Sequence, residues 1–348
     1  AKFRLTNIRL GSNVRTRWLK RMAQFPAWPQ NTLWERIMPK IRIWLWLALL
    51  CCTLPLWAEG DRDFGDHQEI WVDSEEEFLA AVAPNTTIHL HSQLLDALIF
   101  TAEHWDINTE YANFAYVFDG VQLVIQNLHN FSIIGDPDAR SRILAQPRYA
   151  NVLTFKNCEE ITLLNLDCGH ADEGYCTGGV LAFENCHGIR IENCDLWGCG
   201  TEGITLTESS WLSCADTTIR DCSYSILSLY DSYGAEFRNC VMRNNREFSL
   251  LNVYNCREVS FANCVIYDNS AADDFGHGYL LYSSASVINF SECAIFNNNV
   301  NELLNTQDGV SFQHCTIFGN QPQSYVPGYD EGRAEDSDPD EEYYYEEW

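Results

Sequence analysis

A short segment that ends in an Asn-Cys-like pair recurs along the second half of the chain, and no other feature constrains the fold as strongly. Its copies lie at 189–194, 217–222, 235–240, 259–264, 288–293 and 310–315, and residues 161–166 form an earlier copy with Leu in place of Cys. Successive cysteines lie 28, 18, 24, 29 and 22 residues apart. A constant core with variable spacers is typical of loops inserted between stacked coils, so each copy indicates one coil of a β-solenoid.

Each coil has room for three short strands. In the copy at 189–194, Ile189 and Ile191 alternate with Arg190, a period of two that predicts a strand with one buried face. A second apolar run precedes the repeat in every coil, at 152–155, 180–183, 204–207, 226–229, 250–253, 279–282 and 303–306. A third follows the cysteine, as at 265–267 and 316–318. Three strands per coil, joined by Asn- and Gly-rich turns, predict an all-β chain folded as a parallel β-helix.

The start of the domain carries the signals of a cap. Residues 70–72 read as a strand and residues 74–82 as a short helix, with Ser74 as N-cap and Glu77 completing a capping box. The end of a solenoid otherwise exposes unpaired backbone and apolar interior. We therefore expect this amphipathic helix to cover the first coil.

The first 58 residues differ in charge from the rest. They hold ten of the 22 basic and one of the 49 acidic residues, so residues 59–348 carry a formal charge of -36. Residues 38–58 place two positive charges before an apolar run of about 14 residues, which predicts a secretory signal peptide cleaved near Ala58. The run is shorter than a membrane span of about 20 residues, and Leu50 disfavours a lipoprotein signal at Cys51. We expect a periplasmic or extracellular protein, no membrane attachment after cleavage, and a non-native extension over 1–37.

The acidic remainder limits the partners. Residues 59–328 are predicted to form one β-helix domain, with coils clearest at 150–320, and residues 329–348, with ten acids and one Arg, a disordered tail. Such a charge repels phosphate backbones and anionic lipid headgroups, so no nucleic acid is expected as a partner. A polyanionic glycan would need a bridging cation. The repeat does not require a cofactor. Ca²⁺ is the only cofactor that we consider.

The cysteines allow two interpretations. In a parallel stack, equivalent side chains lie about 4.8 Å apart, and a free Cys is a suitable small apolar filler. Cys158, Cys186 and Cys256 form a second, partial ladder at the turn between two strands. Export to an oxidising compartment favours disulfides instead. We expect mostly free, stacked thiols. The disulfide candidates are the cysteines off the ladder, Cys168, Cys176, Cys199 and Cys214.

Together, the strand–helix cap, the run at 123–135 and the Asn-Cys coils resemble the pectate-lyase-like superfamily of right-handed parallel β-helix repeat proteins, over about residues 68–320. The resemblance implies a right-handed coil and matches no specific enzyme family. Its members range from polysaccharide lyases and hydrolases to proteins without a known reaction. It implies an exported protein that binds, and as a lyase or hydrolase would process, a polysaccharide. The alternative is a non-catalytic surface or assembly protein, so whether the chain is an enzyme stays open.

A loop at 167–179 breaks the repeat and is a candidate site, because function collects on loops of a rigid scaffold. Its polar side chains, with two from the next coils, could form an acid/base or cation site if the loops fold onto one face. Zinc bound by loop cysteines and a histidine is an alternative, and a loop pinned by a disulfide is the simplest explanation. The candidate catalytic residues are His170, Glu173, Asp195 and Glu202.

Outward aromatic and basic residues are the candidates for substrate binding. The resemblance implies an Arg or Lys as the base of a lyase, and Arg220 and Arg238 fall at the same rung position of the aligned repeat, where a surface ladder is the other explanation. Trp197, Trp211 and Tyr233 could also stack on sugar rings. The Gly-His-Gly at 276–278 predicts a turn rather than a hydrolase motif. The candidate substrate-binding residues are Arg220, Tyr230, Asp231, Arg238 and Tyr254.

Overall fold

A computed structural model describes residues 66–90, 98–100, 109–171, 178–198, 200–271, 278–306 and 309–321, with 98–100 described by backbone alone. The chain divides into two compact units, Ala1–Asp63 and Phe64–Trp348, and every described residue belongs to the second. The predicted extension, signal peptide and acidic tail lie outside the described residues and stay predictions.

The described strands form three sheets. Sheet A contains β1 (Gln68–Val72), β2 (Thr86–Leu90), β6 (His129–Ile134), β9 (Glu159–Leu164), β12 (His187–Glu192), β15 (Ser210–Ala215), β18 (Tyr233–Arg238), β21 (Arg257–Ala262), β24 (Val287–Ser291) and β27 (Gly309–Gln313). Sheet B contains β3 (Leu98–Phe100), β7 (Ser141–Ala145), β10 (Leu166–His170), β13 (Asp195–Trp197), β16 (Thr218–Arg220), β19 (Val241–Arg243), β22 (Val265–Tyr267), β25 (Ala294–Phe296) and β28 (Thr316–Phe318). Sheet C contains β4 (Ala112–Val117), β5 (Gly120–Gln126), β8 (Leu153–Lys156), β11 (Leu181–Glu184), β14 (Glu202–Thr207), β17 (Ser225–Tyr230), β20 (Leu251–Tyr254), β23 (Tyr279–Ser284) and β26 (Glu302–Thr306).

From β8 onward every coil contributes one strand to sheet C, then one to sheet A, then one to sheet B. All strand pairs are parallel except β4 with β5, which form an antiparallel hairpin. The interior is filled by apolar side chains that stack from coil to coil; Phe261, for example, lies 4.9 Å from Phe237 and 4.7 Å from Phe290, centroid to centroid. The prediction of three strands per coil is confirmed.

The predicted cap is also confirmed. Helix α1 (Glu75–Ala81) begins after Ser74, whose side chain accepts a hydrogen bond from the Glu77 N–H at 3.2 Å. The Glu77 carboxylate accepts a hydrogen bond from the Asp73 N–H at 2.8 Å. Phe78, a residue of the helix itself, is fully buried. Across the described residues, no helix has the length and apolar character that a membrane crossing requires.

The Asn of the Asn-Cys pairs at 193–194, 239–240 and 263–264 turns the corner between sheets A and B. These residues adopt left-handed backbone, with φ of 52° at Asn193 and 54° at Asn239, which Asn and Asp tolerate better than most residues. Their side chains also bond from coil to coil, because the Asn193 amide donates to Asn165 at 2.8 Å and that of Asn239 to Asp216 at 3.0 Å. The following cysteine points inward and fills the core, as at Cys194 and Cys240.

The structure corrects one step of the repeat. Cys222 follows β16 at the corner between sheets B and C, whereas Thr217 takes the place of the cysteine in its coil and its hydroxyl accepts from the Cys194 N–H at 3.3 Å. The spacing from Cys194 to Thr217 is 23 residues, and that from Thr217 to Cys240 is also 23. These two spacings replace the 28 and 18 residues that are counted through Cys222. As a consequence, Arg220 in sheet B and Arg238 in sheet A are not equivalent, although the sequence places them on one rung position.

The disulfide prediction is corrected for the two candidates that the structure describes. Cys168 and Cys214 are buried free thiols, because they occupy core positions rather than loops: Cys168 pairs in register with Ile143 and Leu196. The Cys214 and Cys240 sulfurs lie 3.9 Å apart, well beyond the roughly 2.05 Å of a disulfide bond. Among the described residues every cysteine is free, and Cys176 and Cys199 lie outside them.

Candidate functional site

His170 ends β10 and points into the interior, with 2% of its surface exposed. Its Nε2–H donates to the Ala150 carbonyl at 2.8 Å, which leaves Nδ1 unprotonated and, within the described part of the chain, without a hydrogen-bond partner. Gly198 lies against the ring, since a Cβ at that position would come within 2.5 Å of Nδ1. Burial lowers the pKa of His170, so the ring is held neutral.

Asp195 lies on the other side of sheet B. Side chains alternate along a strand, and Asp195 directly precedes the buried Leu196, so its carboxylate faces outward. It receives two hydrogen bonds from Arg220, at 2.9 and 3.1 Å. The structure therefore does not combine His170 and Asp195 into one site, which corrects the expectation that the loops gather them on one face.

The Arg220 guanidinium is paired with two carboxylates. Besides Asp195, it donates to Asp221 at 2.6 Å and lies over the Trp197 ring, 5.4 Å from its centroid. Burial opposes its charge, but the hydrogen bonds that it donates to the two carboxylates outweigh that effect and raise the pKa of Arg220. Such a group is unsuited to accept a proton as a lyase base. The two ion pairs give Arg220 a structural role, and the predicted surface ladder with Arg238 does not form, because the two arginines lie on different sheets.

Glu202 lies on a different sheet from His170 and Asp195. Glu202 begins β14 in sheet C and accepts a hydrogen bond from the Ser228 hydroxyl at 3.0 Å. Glu173, Cys176 and the turn at 276–277 lie outside the described residues. Among the described residues no three His, Cys, Asp or Glu side chains converge as metal ligands. Calcium and zinc stay sequence predictions.

The structure brings three of the substrate-binding candidates together at the corner between sheets C and A. Tyr230 and Tyr254 stack with centroids 5.3 Å apart, and Tyr282 continues the row at 5.4 Å from Tyr254. Asp231, at the turn, accepts from the Asn255 amide at 2.6 Å. Arg238 lies elsewhere, on sheet A. Tyr230 and Tyr254 are equivalent positions, which explains their stacking as coil packing, whereas Tyr282 pairs in register with Asn252 and its ring is tilted by 40° to that of Tyr254.

A groove of about 380 Å³ opens on the outer face of sheet A, and the sequence reasoning missed it as a unit. Its floor is a row of polar side chains, one from each of four successive coils in register. Trp211 and Gly234 border the row on one side. The floor residues are Ser213, Glu236, Ser260 and Asn289.

Trp211 has an unfavourable backbone conformation for a large residue. Its φ is +60°, and the equivalent positions of the adjacent coils hold Gly188 and Gly234, at φ +72° and +69°. The indole lies on Gly234, where a Cβ would come within 2.7 Å of the ring, and Tyr233 packs edge-on at 4.9 Å. The ring remains 49% exposed. A Trp between two glycines is the signal that a correctly aligned repeat would have revealed.

The charged side chains around the groove are mostly paired. Glu236 forms an ion pair with Arg238 two residues along β18, at 3.3 Å. Glu258 accepts a hydrogen bond from the Tyr233 hydroxyl, and this bond raises the pKa of Tyr233. The groove thus offers one exposed aromatic face beside hydroxyl, amide and carboxylate groups that form hydrogen bonds.

Comparison with known proteins supports the fold. Residues 148–266 match the family model described as "Right handed beta helix region", and no curated protein matches the chain. Similar solved structures include alginate lyase from Paenibacillus sp. str. FPU-7, 7% identical over 72% of this chain and 99% of its own, with a TM-score of 0.35. The tailspike protein gp49 from Pseudomonas phage LKA1 is 11% identical over 73% and 71%, with a TM-score of 0.28. PfbA, a surface adhesin of Streptococcus pneumoniae, is 9% identical over 67% and 81%, with a TM-score of 0.27.

At these TM-scores the likenesses carry no argument about activity. The family model and the described sheets agree with each other, and the sheets extend the same coil from β8 to β28, beyond the matched residues. The match shows no narrower family. The chain is therefore a right-handed parallel β-helix protein, as its repeat and its resemblance to the pectate-lyase-like superfamily predict.

Proposed function

We propose that the protein binds a polysaccharide along the outer face of sheet A, with Trp211 as its main contact. The observation that carries the proposal is the Trp211 ring, which remains 49% exposed at the edge of the groove. Its left-handed backbone belongs to the turn, because Glu160 and Glu258 adopt the same conformation at the equivalent position of other coils. An exposed indole beside a row of polar side chains suits a ligand that stacks on the ring.

The floor of the groove supports a ligand with a repeating structure. Ser213, Glu236, Ser260 and Asn289 follow one another at the spacing of the coils, about 4.8 Å. A row of hydroxyl, carboxylate and amide groups beside an aromatic face suits a sugar chain, which presents both hydroxyl groups and apolar ring faces. Export, predicted from residues 38–58, would place the groove where polysaccharides occur.

A substitution at Trp211 tests the proposal. Trp211→Gly removes the indole and places glycine where the adjacent coils already have it, so we expect a folded protein whose melting temperature is unchanged or higher. We expect its affinity for the polysaccharide that the wild type binds on a glycan array to fall at least about tenfold, which corresponds to about 1.4 kcal/mol. Isothermal titration calorimetry measures the loss.

Trp71→Ala is the matched control, because Trp71 is also exposed on sheet A but lies on β1, remote from the groove in strand order. It should keep wild-type affinity. Equal losses in both variants, or no glycan binding by the wild type, would overturn the proposal and favour a non-catalytic scaffold.

A further inference from the structure

We infer that the sugar chain taken by the sheet A groove is uncharged rather than a polyuronate. This inference rests on the proposed function and narrows it to a chemical class. It follows from how the charged side chains around the floor of the groove are used.

The arginines beside the floor are already neutralised within their own strands. Arg190, which pairs in register with the floor residue Ser213, donates from Nε to the Glu192 carboxylate at 3.0 Å. Arg238 is paired with Glu236. Each pair joins residues two apart on one face of a strand, so each guanidinium is held by a glutamate of its own strand. A ligand carboxylate would have to displace a glutamate to reach either guanidinium.

The groups left for a ligand are neutral or negative. Ser213, Ser260 and Asn289 offer hydroxyl and amide groups, and Glu258 offers a carboxylate that accepts from Tyr233. Arg257 precedes Glu258 on β21 and is exposed, so it offsets at most one negative charge. A polyuronate presents a carboxylate on every sugar, and the residues that line the described groove include two glutamates, one of them paired with Arg238, and no arginine or lysine.

The long-range field acts in the same direction. Residues 59–348 carry a formal charge of -36, and a surface of one sign repels a polyanion over a distance that shrinks as salt is added. A neutral chain gains the stacking and the hydrogen bonds without this repulsion. We therefore expect the charge of the sugar chain to affect its affinity for the groove more than the identity of its sugars does.

Binding measurements with hexasaccharides of both classes test the inference. The neutral probes are gluco-, xylo-, manno- and galacto-hexaoses, and the charged probes are hexagalacturonate and hexamannuronate, each with and without CaCl₂. We expect a neutral probe to bind at least about tenfold tighter than either uronate, with an affinity that changes less than about twofold from roughly 20 to 500 mM NaCl.

A charge substitution gives a second readout. Glu236→Gln removes one carboxylate and leaves Arg238 unpaired, so we expect the ratio of uronate affinity to neutral-probe affinity to rise about three- to tenfold. Glu69→Gln, on β1 of the same sheet, makes the same change in net charge away from the groove and should leave both affinities unchanged.

The outcomes separate the two proposals. Uronate binding that depends on Trp211 and exceeds neutral binding, with or without Ca²⁺, overturns the charge inference and leaves the groove as the binding site. Binding of neutral and charged probes with equal affinity overturns it as well. Absence of binding to every probe overturns the proposed function, and the inference with it.

Discussion

His170 shows how a single side chain can be polar, buried and still compatible with the fold. Its Nε2–H donates to the Ala150 carbonyl, and Gly198 leaves the space that the ring needs. Nδ1 has no partner, so protonation would add a donor and a charge at a point where none of the described groups accepts. The neutral ring costs one unsatisfied acceptor, whereas the charged ring would cost far more. This difference is why burial lowers its pKa.

The lowered pKa predicts a pH dependence of stability. As the pH falls, the unfolded chain binds the proton near pH 6.5, before the folded protein does, so the contribution of neutral His170 is fully present above that pH and is lost below it. We expect the free energy of unfolding to decrease below pH 6.5 by up to about 1.4 kcal/mol per pH unit from this residue. Urea unfolding at a series of pH values measures it.

His170→Gln removes the titration but keeps a side-chain N–H. The test is the difference in slope between wild type and variant, because the other histidines are common to both proteins. A variant whose unfolding free energy depends on pH between 5 and 6.5 as strongly as that of the wild type would contradict the assignment.

At the scale of elements, the corners explain why the sheets are so regular. Between sheets B and C, a column of interior asparagines continues from Cys222, which Asn245 follows on the next coil. The Asn269 amide donates to Asn298 at 2.8 Å and to the Met242 carbonyl at 3.0 Å, while its oxygen accepts from the Asn245 amide at 2.9 Å. Each asparagine thus satisfies backbone groups of its neighbours in the dry interior and fixes the distance between coils.

Breaking this column should be costly. Asn269→Leu removes the acceptor of the Asn245 backbone N–H and a donor to the Met242 carbonyl, and buried groups left unsatisfied cost about 1–3 kcal/mol each. We expect a loss of at least about 3 kcal/mol in the free energy of unfolding, measured by denaturant unfolding. Asn305→Leu, at an exposed position of β26, is the matched control and should change stability by less than about 0.5 kcal/mol. Similar losses in both variants would show that the column is not a stabilising element.

At the scale of the whole molecule, the coil could be predicted from sequence because alternating apolar residues repeat in every turn. The identity of each corner could not, because Asp221-Cys222 and Asn239-Cys240 look alike although they lie at different corners. Aligning Cys222 with the cysteines of the corner between sheets A and B placed Arg220 on the wrong sheet. The same error concealed that Trp211 is equivalent to Gly188 and Gly234. His170 was misplaced for a related reason: whether a loop-flanking residue points inward depends on its parity within a strand, and the sequence does not mark where that strand ends.

The two ends of the described solenoid differ, and this difference predicts a gradient of local stability. Helix α1 covers the first coil, whereas in the last described coil the core-facing Leu304 and Phe312 are only partly buried and Ile317 is exposed. In a stack of coils each one is stabilised mainly by its neighbours, so a coil with one neighbour opens more readily. We therefore expect the amides of β26, β27 and β28 to exchange with deuterium at least about tenfold faster than those of β17 to β22, measured by hydrogen exchange at peptide resolution.

Ser74→Ala, which removes the N-cap of α1 at a cost of about 1 kcal/mol, should speed exchange in β1 and β2 and leave the other end unchanged. Equal protection at both ends of the wild type would mean that the last described coil is covered as well as the first.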